Sequence, residues 1–394
     1  MDVDLSQLRS HLAETDLDGY LIDAPGSDAD QRYVSGFSAP DAYQTLVTGD
    51  GVHLLVSGLE YGRATSEAAA DTVTNTAAYD AQELQAEYGP REGKLRMLEA
   101  FLADHDVASV AVPEDCPVGT ADGLRERGID VTVETEGVVG RIRATKTDEE
   151  IEHVRATQAS NQLAMAVAEG LIAGAEVRDG VLYHEDEPLT SERVTTEIEI
   201  ALLREGCALD ETIVACGADA ADPHDRGSGR LEAGESIVID IFPRDKETKY
   251  YGDMTRTFVR GEPSDELARR YEVTHEAFEA ALDAIEPGVT GEAVHDRVCD
   301  VIEDAGYATL RSDPETDTGF IHGTGHGVGL DIHEGPRISF TGGELEAGHV
   351  VTVEPGIYDP AVGGVRIEDL VVVTEDGYEN LTDYPISIEP EDRR

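Results

Sequence analysis

Residues 349–374 read HVVTVEPGIYDPAVGGVRIEDLVVVT. Two β-branched apolar runs, Val350–Val353 and Leu370 to Val373, enclose a turn-rich middle, and runs of this kind favour strands. An acid stands against each run, Glu354 after the first and Glu368 before the second. Asp240 does the same upstream, between Ile237-Val238-Ile239 and Ile241-Phe242. A carboxylate buried alone costs several kcal/mol unless something compensates it. These strand-forming stretches, expected over 236–242, 250–259, 349–358 and 364–374, set the frame for the rest of the chain.

Between them lies a helical region. From Ser264, Leu267, Tyr271, Phe278, Leu282 and Ile285 recur at helical spacing, and a second helix is predicted from Thr290 through Val294, Val298 and Ile302 to Gly306. Strands, helices and strands again predict an α+β domain with helices packed on a curved antiparallel sheet. Further upstream, Thr147-Asp148-Glu149-Glu150 is a capping box: the threonine oxygen accepts from the third amide and the glutamate reaches back. Ile151, Val154, Leu163 and Val167 supply the apolar stripe of that helix. The domain boundary is placed just before it, giving domains 1–145 and 146–394, and 394 residues suffice for two cores. The first domain alternates strands (19–22, the hairpin 45–56 turning at Gly49-Asp50-Gly51, Ser109–Val112) with helical stretches, and reads as α/β with no catalytic motif.

The chain carries 83 acidic residues against 30 basic ones, a formal net charge of -53, and its lysines are Lys94, Lys146, Lys246 and Lys249 alone. That field would repel nucleic acid and anionic membranes, so neither is an expected partner. An acidic, lysine-poor surface suits molar salt, where repulsion is screened within about 3 Å. A halophile's cytoplasm is the expected setting, with an acidic protein of an ordinary cell as the alternative. The start, MDVDLSQLRSHLA, has no basic n-region or apolar h-region, so no secretory signal is expected. No apolar run has the length of a membrane span. Cys116, Cys207, Cys216 and Cys299 lack C-x-x-C spacing and read as reduced, mostly buried thiols.

Among so many carboxylates, a solvated charge is the ordinary reading of any one of them. Taken singly, Asp240 and Asp253 read as loop acids, His326 as a turn residue and Glu368 as a partner of Arg366. Together they point to a shared cation. Asp253, in Gly252-Asp253-Met254-Thr255-Arg256-Thr257, lies one hairpin beyond Asp240, and His326 sits in the glycine-rich stretch HGTGHGVG (322–329), which lets backbone approach a crowded site. One imidazole among four carboxylates is an oxygen-rich set. It suits two divalent ions, foremost Mn2+ with Co2+ or Zn2+ as alternatives, rather than a structural zinc. Such a pair can activate a water and polarise the carbonyl it attacks, so hydrolysis is the expected chemistry.

The stretches Asp253-Met254-Thr255-Arg256-Thr257, His326-Gly327-Val328-Gly329 with His333-Glu334-Gly335-Pro336, Val353-Glu354-Pro355-Gly356 and Arg366-Ile367-Glu368-Asp369 occur in that order. In them the chain resembles the metallopeptidases of the Xaa-Pro dipeptidase (prolidase) and aminopeptidase P group. The resemblance implies a pita-bread catalytic domain, shared with methionine aminopeptidase and creatinase, behind an N-terminal domain matched by size and pattern only. It implies that Asp240 chelates one ion and His326 the other, that Asp253 and Glu368 bridge them, and that Glu354 is both ligand and general base and acid. It further implies that His333 steadies the tetrahedral intermediate, and that His224 and His322 contact substrate. Arg366 resembles the arginine beside the last ligand. For His224, in Pro223-His224-Asp225, an exposed loop histidine is the competing reading. His11, His53, His105, His153, His184, His275, His295 and His349 fit no motif and are taken as structural.

The N-terminal domain and Arg366 separate the chain from methionine aminopeptidases, and the complete ligand set separates it from creatinase-like members. In this group the N-terminal domain overhangs a neighbour's active site, which implies a homodimer. One departure stands out: the gap from Asp240 to Asp253 is longer than the usual hairpin, with Ile241-Phe242-Pro243-Arg244 replacing a small glycine-containing turn. The implied activity is an exopeptidase cutting the bond before proline, in dipeptides or at the N-terminus of longer peptides; the motifs leave that choice open. Another metal-dependent hydrolase or lyase acting on a small carboxylate substrate is one alternative. A peptide-binding relative without catalysis is the other, against which the full ligand set with Glu354 and His333 weighs.

Overall fold

A computed structural model describes residues 3–393; Met1, Asp2 and Arg394 lie outside the described range. Contacts divide the chain into the units Met1–Arg143 and Ala144–Arg394. In the first unit six strands form one sheet in the order 72–75, 52–56, 43–48, 19–24, 109–112, 130–133. The last three of these pair in parallel, whereas 43–48 runs antiparallel to both of its neighbours. Helix Pro90–Asp104 lays Leu98, Phe101 and Leu102 on Leu21, Leu46 and Val110 of the sheet. The expected hairpin is present, its first strand starting at Tyr43.

The second unit has two halves of similar construction. A three-stranded antiparallel sheet, in the order Thr212–Cys216, Ile237–Ile241, Met254–Phe258, carries helices Asp148–Ala173 and Ser191–Arg204 in one core. A five-stranded sheet, in the order Glu334–Ile338, Gly325–Gly327, Val350–Val353, Asp369–Thr374, Gly377–Asn380, carries helices Asp265–Leu282 and Gly291–Asp304 in another. Leu267, Phe278, Val294 and Val298 are fully buried there, and each such side chain contributes about 1.5–3 kcal/mol by leaving water. The two helices start where the sequence places them, Ser264 and Thr290 capping them through their side-chain oxygens.

Two expectations change in detail. The run 349–358 is two strands, Val350–Val353 and Gly356–Asp359, and 364–374 is likewise Gly363–Arg366 and Asp369–Thr374. Val350–Val353 pairs with Asp369–Thr374, but Gly356–Asp359 pairs with Gly363–Arg366. The chain therefore leaves the five-stranded sheet at Glu354-Pro355, where proline has no N–H to continue the ladder, and rejoins it after Glu368. The second change concerns helix Asp148–Ala173. Its capping box forms, but Leu163 is 54% exposed, and the inward face carries Thr157, Gln158 and Asn161 beside Val154, Ala164 and Met165.

The cysteines are free thiols; Cys207 and Cys299 are buried, while Cys116 and Cys216 are only partly so. Among the described residues, no helix is long and apolar enough to cross a membrane.

Candidate metal centre

The strands deliver the acids to one cavity of about 930 Å³. Asp240 lies opposite Thr255 in the register of Ile237–Ile241 against Met254–Phe258, and Asp253 immediately precedes the latter strand. Glu354 and Glu368 occupy the two points where the chain changes sheets. His326 is central in Gly325–Gly327, a strand pressed so closely on its neighbour that a Cβ on Gly325 would lie 1.9 Å from the Thr352 carbonyl oxygen. Only glycine fits there.

All the expected site residues line this cavity: Asp240, Asp253, His326, Glu354, Glu368, His333, His322, His224 and Arg366. His224 and His333 are solvent-exposed at its wall, whereas Asp253, His326, Arg366 and Glu368 are buried. Asp253, His326 and Glu368 form the compact core, with one ligand atom from each within 4.8 Å of the others. His326 Nε2 lies 3.7 Å from Asp253 Oδ2 and 3.5 Å from Glu354 Oε1. Its Nδ1–H donates to the Gly327 carbonyl at 3.1 Å, which leaves Nε2 with a lone pair toward the acids. Burial, and then His333, push the His326 pKa down to about 3, so the ring is neutral and able to bind a cation.

The acids are under strain of charge. Burial first, then Asp240 and Glu354, raise Asp253 well above the usual carboxylate range; burial, then Asp253 and Glu354, do the same to Glu368. Glu354 is pushed up to about 7 by burial, with Arg366 opposing. Arg366 is the single buried arginine among the described residues lining the cavity, and it pairs with Asp240 Oδ2 at 2.6 Å rather than with Glu368. Glu368 Oε2 instead accepts from the Thr255 hydroxyl at 2.7 Å. Asp240 Oδ1 is buried with no hydrogen-bond partner among the described residues. Four carboxylates against one guanidinium, with an orphaned acid oxygen and a neutral imidazole aimed inward, fit a site for divalent cations.

Residues that motif reading did not single out complete the site. The Tyr358 hydroxyl accepts from Arg366 Nη1 at 3.0 Å and donates to His322 Nε2 at 2.9 Å; His322 Nδ1–H donates to the Gly323 carbonyl at 2.7 Å. That relay fixes the His322 ring, whose pKa burial and Arg366 lower to about 3. Thr352 Oγ1 accepts from the His326 N–H at 3.1 Å. Arg337 lines the cavity without a side-chain partner among the described residues. It follows His333-Glu334-Gly335-Pro336 directly, a place in the sequence that could have flagged it. The replaced turn contributes Phe242 to the cavity wall, beside the rim pair Glu211–Arg226. His295, set aside as structural, meets Thr324 Oγ1 at 2.8 Å and so supports the turn between His322 and His326.

The family model described as metallopeptidase family M24 matches residues 154–375, and the creatinase/prolidase N-terminal domain matches residues 5–145. The chain is 31% identical over 387 residues to the Xaa-Pro dipeptidase of Pyrococcus furiosus, covering 96% of this chain and 97% of that relative. It is 28% identical over 388 residues to the Xaa-Pro dipeptidase of Pyrococcus horikoshii, covering 97% of each. Among solved structures, it superposes on an Xaa-Pro dipeptidase from Bacillus anthracis with a TM-score of 0.82 at 27% identity, over 98% of both chains. It superposes on an X-Pro aminopeptidase from Thermotoga maritima with a TM-score of 0.77 at 28% identity, over 95% of this chain and 97% of that one.

Proposed function

The chain belongs to metallopeptidase family M24 and is a prolidase-type metal exopeptidase, and from that premise we propose that it hydrolyses Xaa-Pro dipeptides. The observation that carries the reading is Arg337: of the three arginines lining the cavity, Arg366 pairs with Asp240 and Arg226 with Glu211, whereas Arg337 has no side-chain partner among the described residues. A dipeptide brings a carboxylate one residue beyond the scissile bond, and Arg337 is suited to pair with it.

Asp240, Asp253, His326, Glu354 and Glu368 would hold two divalent ions, foremost Mn2+ with Co2+ or Zn2+ as alternatives. Such ions, when bound, lower the pKa of a water and polarise the carbonyl to be attacked. The residues do the rest. Glu354 takes the proton from the attacking water and delivers it to the proline nitrogen as the peptide bond breaks. His333, on the cavity wall, donates toward the oxygen that gains charge in the tetrahedral intermediate. His224 and His322 contact the substrate. Arg366 holds Asp240 in its orientation through the 2.6 Å pair. Phe242, in the replaced turn, borders the bound peptide.

The -53 charge supports work in a salt-rich cytoplasm, and the free thiols agree with a reducing compartment. The resemblance to prolidases supports a homodimer, for which equilibrium sedimentation in molar KCl is the test. Activity is tested by incubating the Mn2+-loaded protein with Ala-Pro and with Ala-Pro-Ala in molar KCl and following alanine release by mass spectrometry. Cleavage of Ala-Pro alone is expected. Efficient cleavage of the tripeptide would make the chain an aminopeptidase, and failure on both would remove proline specificity.

A further inference from the structure

We propose that the C-terminal segment from Thr382 to Pro385 is a shared anchor for the ion site, acting through two positioning residues, Gln158 and Arg256. The inference rests on Asp253 and Glu368 being ion ligands. It concerns what fixes the spacing between them.

Gln158 is fully buried on helix Asp148–Ala173 and grips both main-chain groups of Asp253. Its Nε2 donates to the Asp253 carbonyl at 2.8 Å, and its Oε1 accepts from the Asp253 N–H at 2.9 Å. Helix and strand come this close because residue 252 is glycine: a Cβ there would lie 2.8 Å from Gln158 Oε1. Nε2 also donates to Thr382 Oγ1 at 2.8 Å. The same oxygen accepts from the Leu370 N–H at 3.0 Å, two residues beyond Glu368.

Arg256 does for Glu368 what Gln158 does for Asp253. Its side chain is fully buried, and Nη1 donates to the Glu368 carbonyl at 2.7 Å and to the Thr255 carbonyl at 2.9 Å. Nη2 donates to Asp369 Oδ1 at 2.7 Å and to the Tyr384 carbonyl at 2.8 Å, and Nε to the Pro385 carbonyl at 3.1 Å. Each of the two carboxylates thus has its backbone held by one buried polar side chain, and both side chains are held by the same tail segment. The tail is itself fastened: buried Glu169 accepts from the Tyr384 hydroxyl, from the Glu391 N–H at 2.8 Å and from Arg393 Nε at 3.0 Å.

Neither positioning side chain is among the residues lining the cavity, so their effect is mechanical. Asp253 and Glu368 repel one another, and ligand atoms that splay apart bind a cation less well. Hydrogen bonds to their backbones from a fixed strut oppose that splaying, and outer partners of this kind typically alter ion affinity by roughly 10–100-fold.

The decisive variant is Thr382→Val, which keeps the shape and deletes the oxygen, beside Thr382→Ser, which keeps the oxygen and deletes the methyl. Both variants and the unmodified protein are titrated with Co2+ in molar KCl by calorimetry, and the visible Co2+ absorption spectrum is recorded. Thr382→Val should weaken Co2+ binding roughly tenfold or more and alter the spectrum, while Thr382→Ser behaves as the unmodified protein. A packing role alone gives the opposite ranking, and Co2+ binding by Thr382→Val equal to the unmodified protein overturns the proposal. If Thr382→Val fails to fold by circular dichroism, Gln158→Met carries the same readout, and unchanged binding there overturns the proposal equally. Absence of Co2+ binding by the unmodified protein would sink the ligand assignment itself, a different result from either variant outcome.

Discussion

Glu354 lies between an apolar strand and a proline, in contact range of the His326 imidazole, with its carboxyl lifted to about 7 by burial. Replacing it by glutamine keeps the size and removes the base. Glu354→Gln should lower kcat on Ala-Pro by roughly 10²–10⁴-fold while circular dichroism reports an intact fold. A kcat close to that of the unmodified protein would take Glu354 out of the proton path. Arg337→Met tests the other end of the substrate. Loss of a charge-assisted contact should raise KM for Ala-Pro roughly 10–100-fold and leave Ala-Pro-amide, which has no carboxylate, unaffected; an equal effect on both substrates would argue against the pairing. Asp240, Glu354 and Glu368 were legible because each stands against an apolar run and a buried carboxylate needs a reason, whereas Asp253, between Gly252 and Met254, was legible only from its place one hairpin beyond Asp240. The roles of Thr255 and Tyr358 were not, since a hydroxyl carries no mark in sequence of what it faces, and Arg337 was marked only by its place directly after Pro336. Arg366 shows the same limit: its neighbour in sequence is Glu368, yet its partner in space is Asp240.

At the scale of elements, helix starts were readable from chemistry that acts over three or four residues, as at Thr147, Ser264 and Thr290. Strand ends were less so. The runs at 349–358 and 364–374 look continuous because burial on both faces gives the same apolar signal in either sheet, and pairing partners come from far along the chain. Leu163 misled for a related reason. Periodicity takes apolar residues as inward, but on helix Asp148–Ala173 Gln158 and Asn161 point inward to satisfy strand backbone, and Leu163 faces solvent. Close approach of strands is a further element-scale property. Gly325→Ala would drive a Cβ into the Thr352 carbonyl, and it should cost about 1–3 kcal/mol of stability, measured as a lowered midpoint of denaturant unfolding in molar KCl. An unchanged midpoint would mean that the two strands part more easily than their packing suggests.

Over the whole molecule, charge dominates. Scarce lysine is used where a buried acid needs a cation: Lys94 meets Asp23 at 2.6 Å and Lys146 meets Glu334, each of those carboxylates being largely removed from solvent. Elsewhere the surface repels itself, and with a net charge of -53 only screening holds that repulsion to short range. Dilution from about 3 M to about 0.1 M KCl should lengthen the Debye distance from roughly 3 Å or less to about 10 Å and unfold the protein, seen as loss of the far-UV helical signal. A signal indifferent to salt would place the chain in an ordinary cell. Composition made this legible without any structure, because net charge does not depend on where residues lie.

Glu354 and Glu368 stand at the two feet of the hairpin formed by Gly356–Asp359 and Gly363–Arg366. If the proposed ions are held by both feet, they would turn that open excursion of the chain into a closed ring, and a closed ring has fewer ways to open. Ligand binding and local rigidity then become one event: the segment should breathe in the empty protein and fall quiet in the loaded one. Amide hydrogen exchange over 357–365 should therefore slow on adding Mn2+ by more than that of helix Ser191–Arg204, and equal slowing in both would show that the ions act as ballast for the whole domain rather than as a clasp on one loop of it.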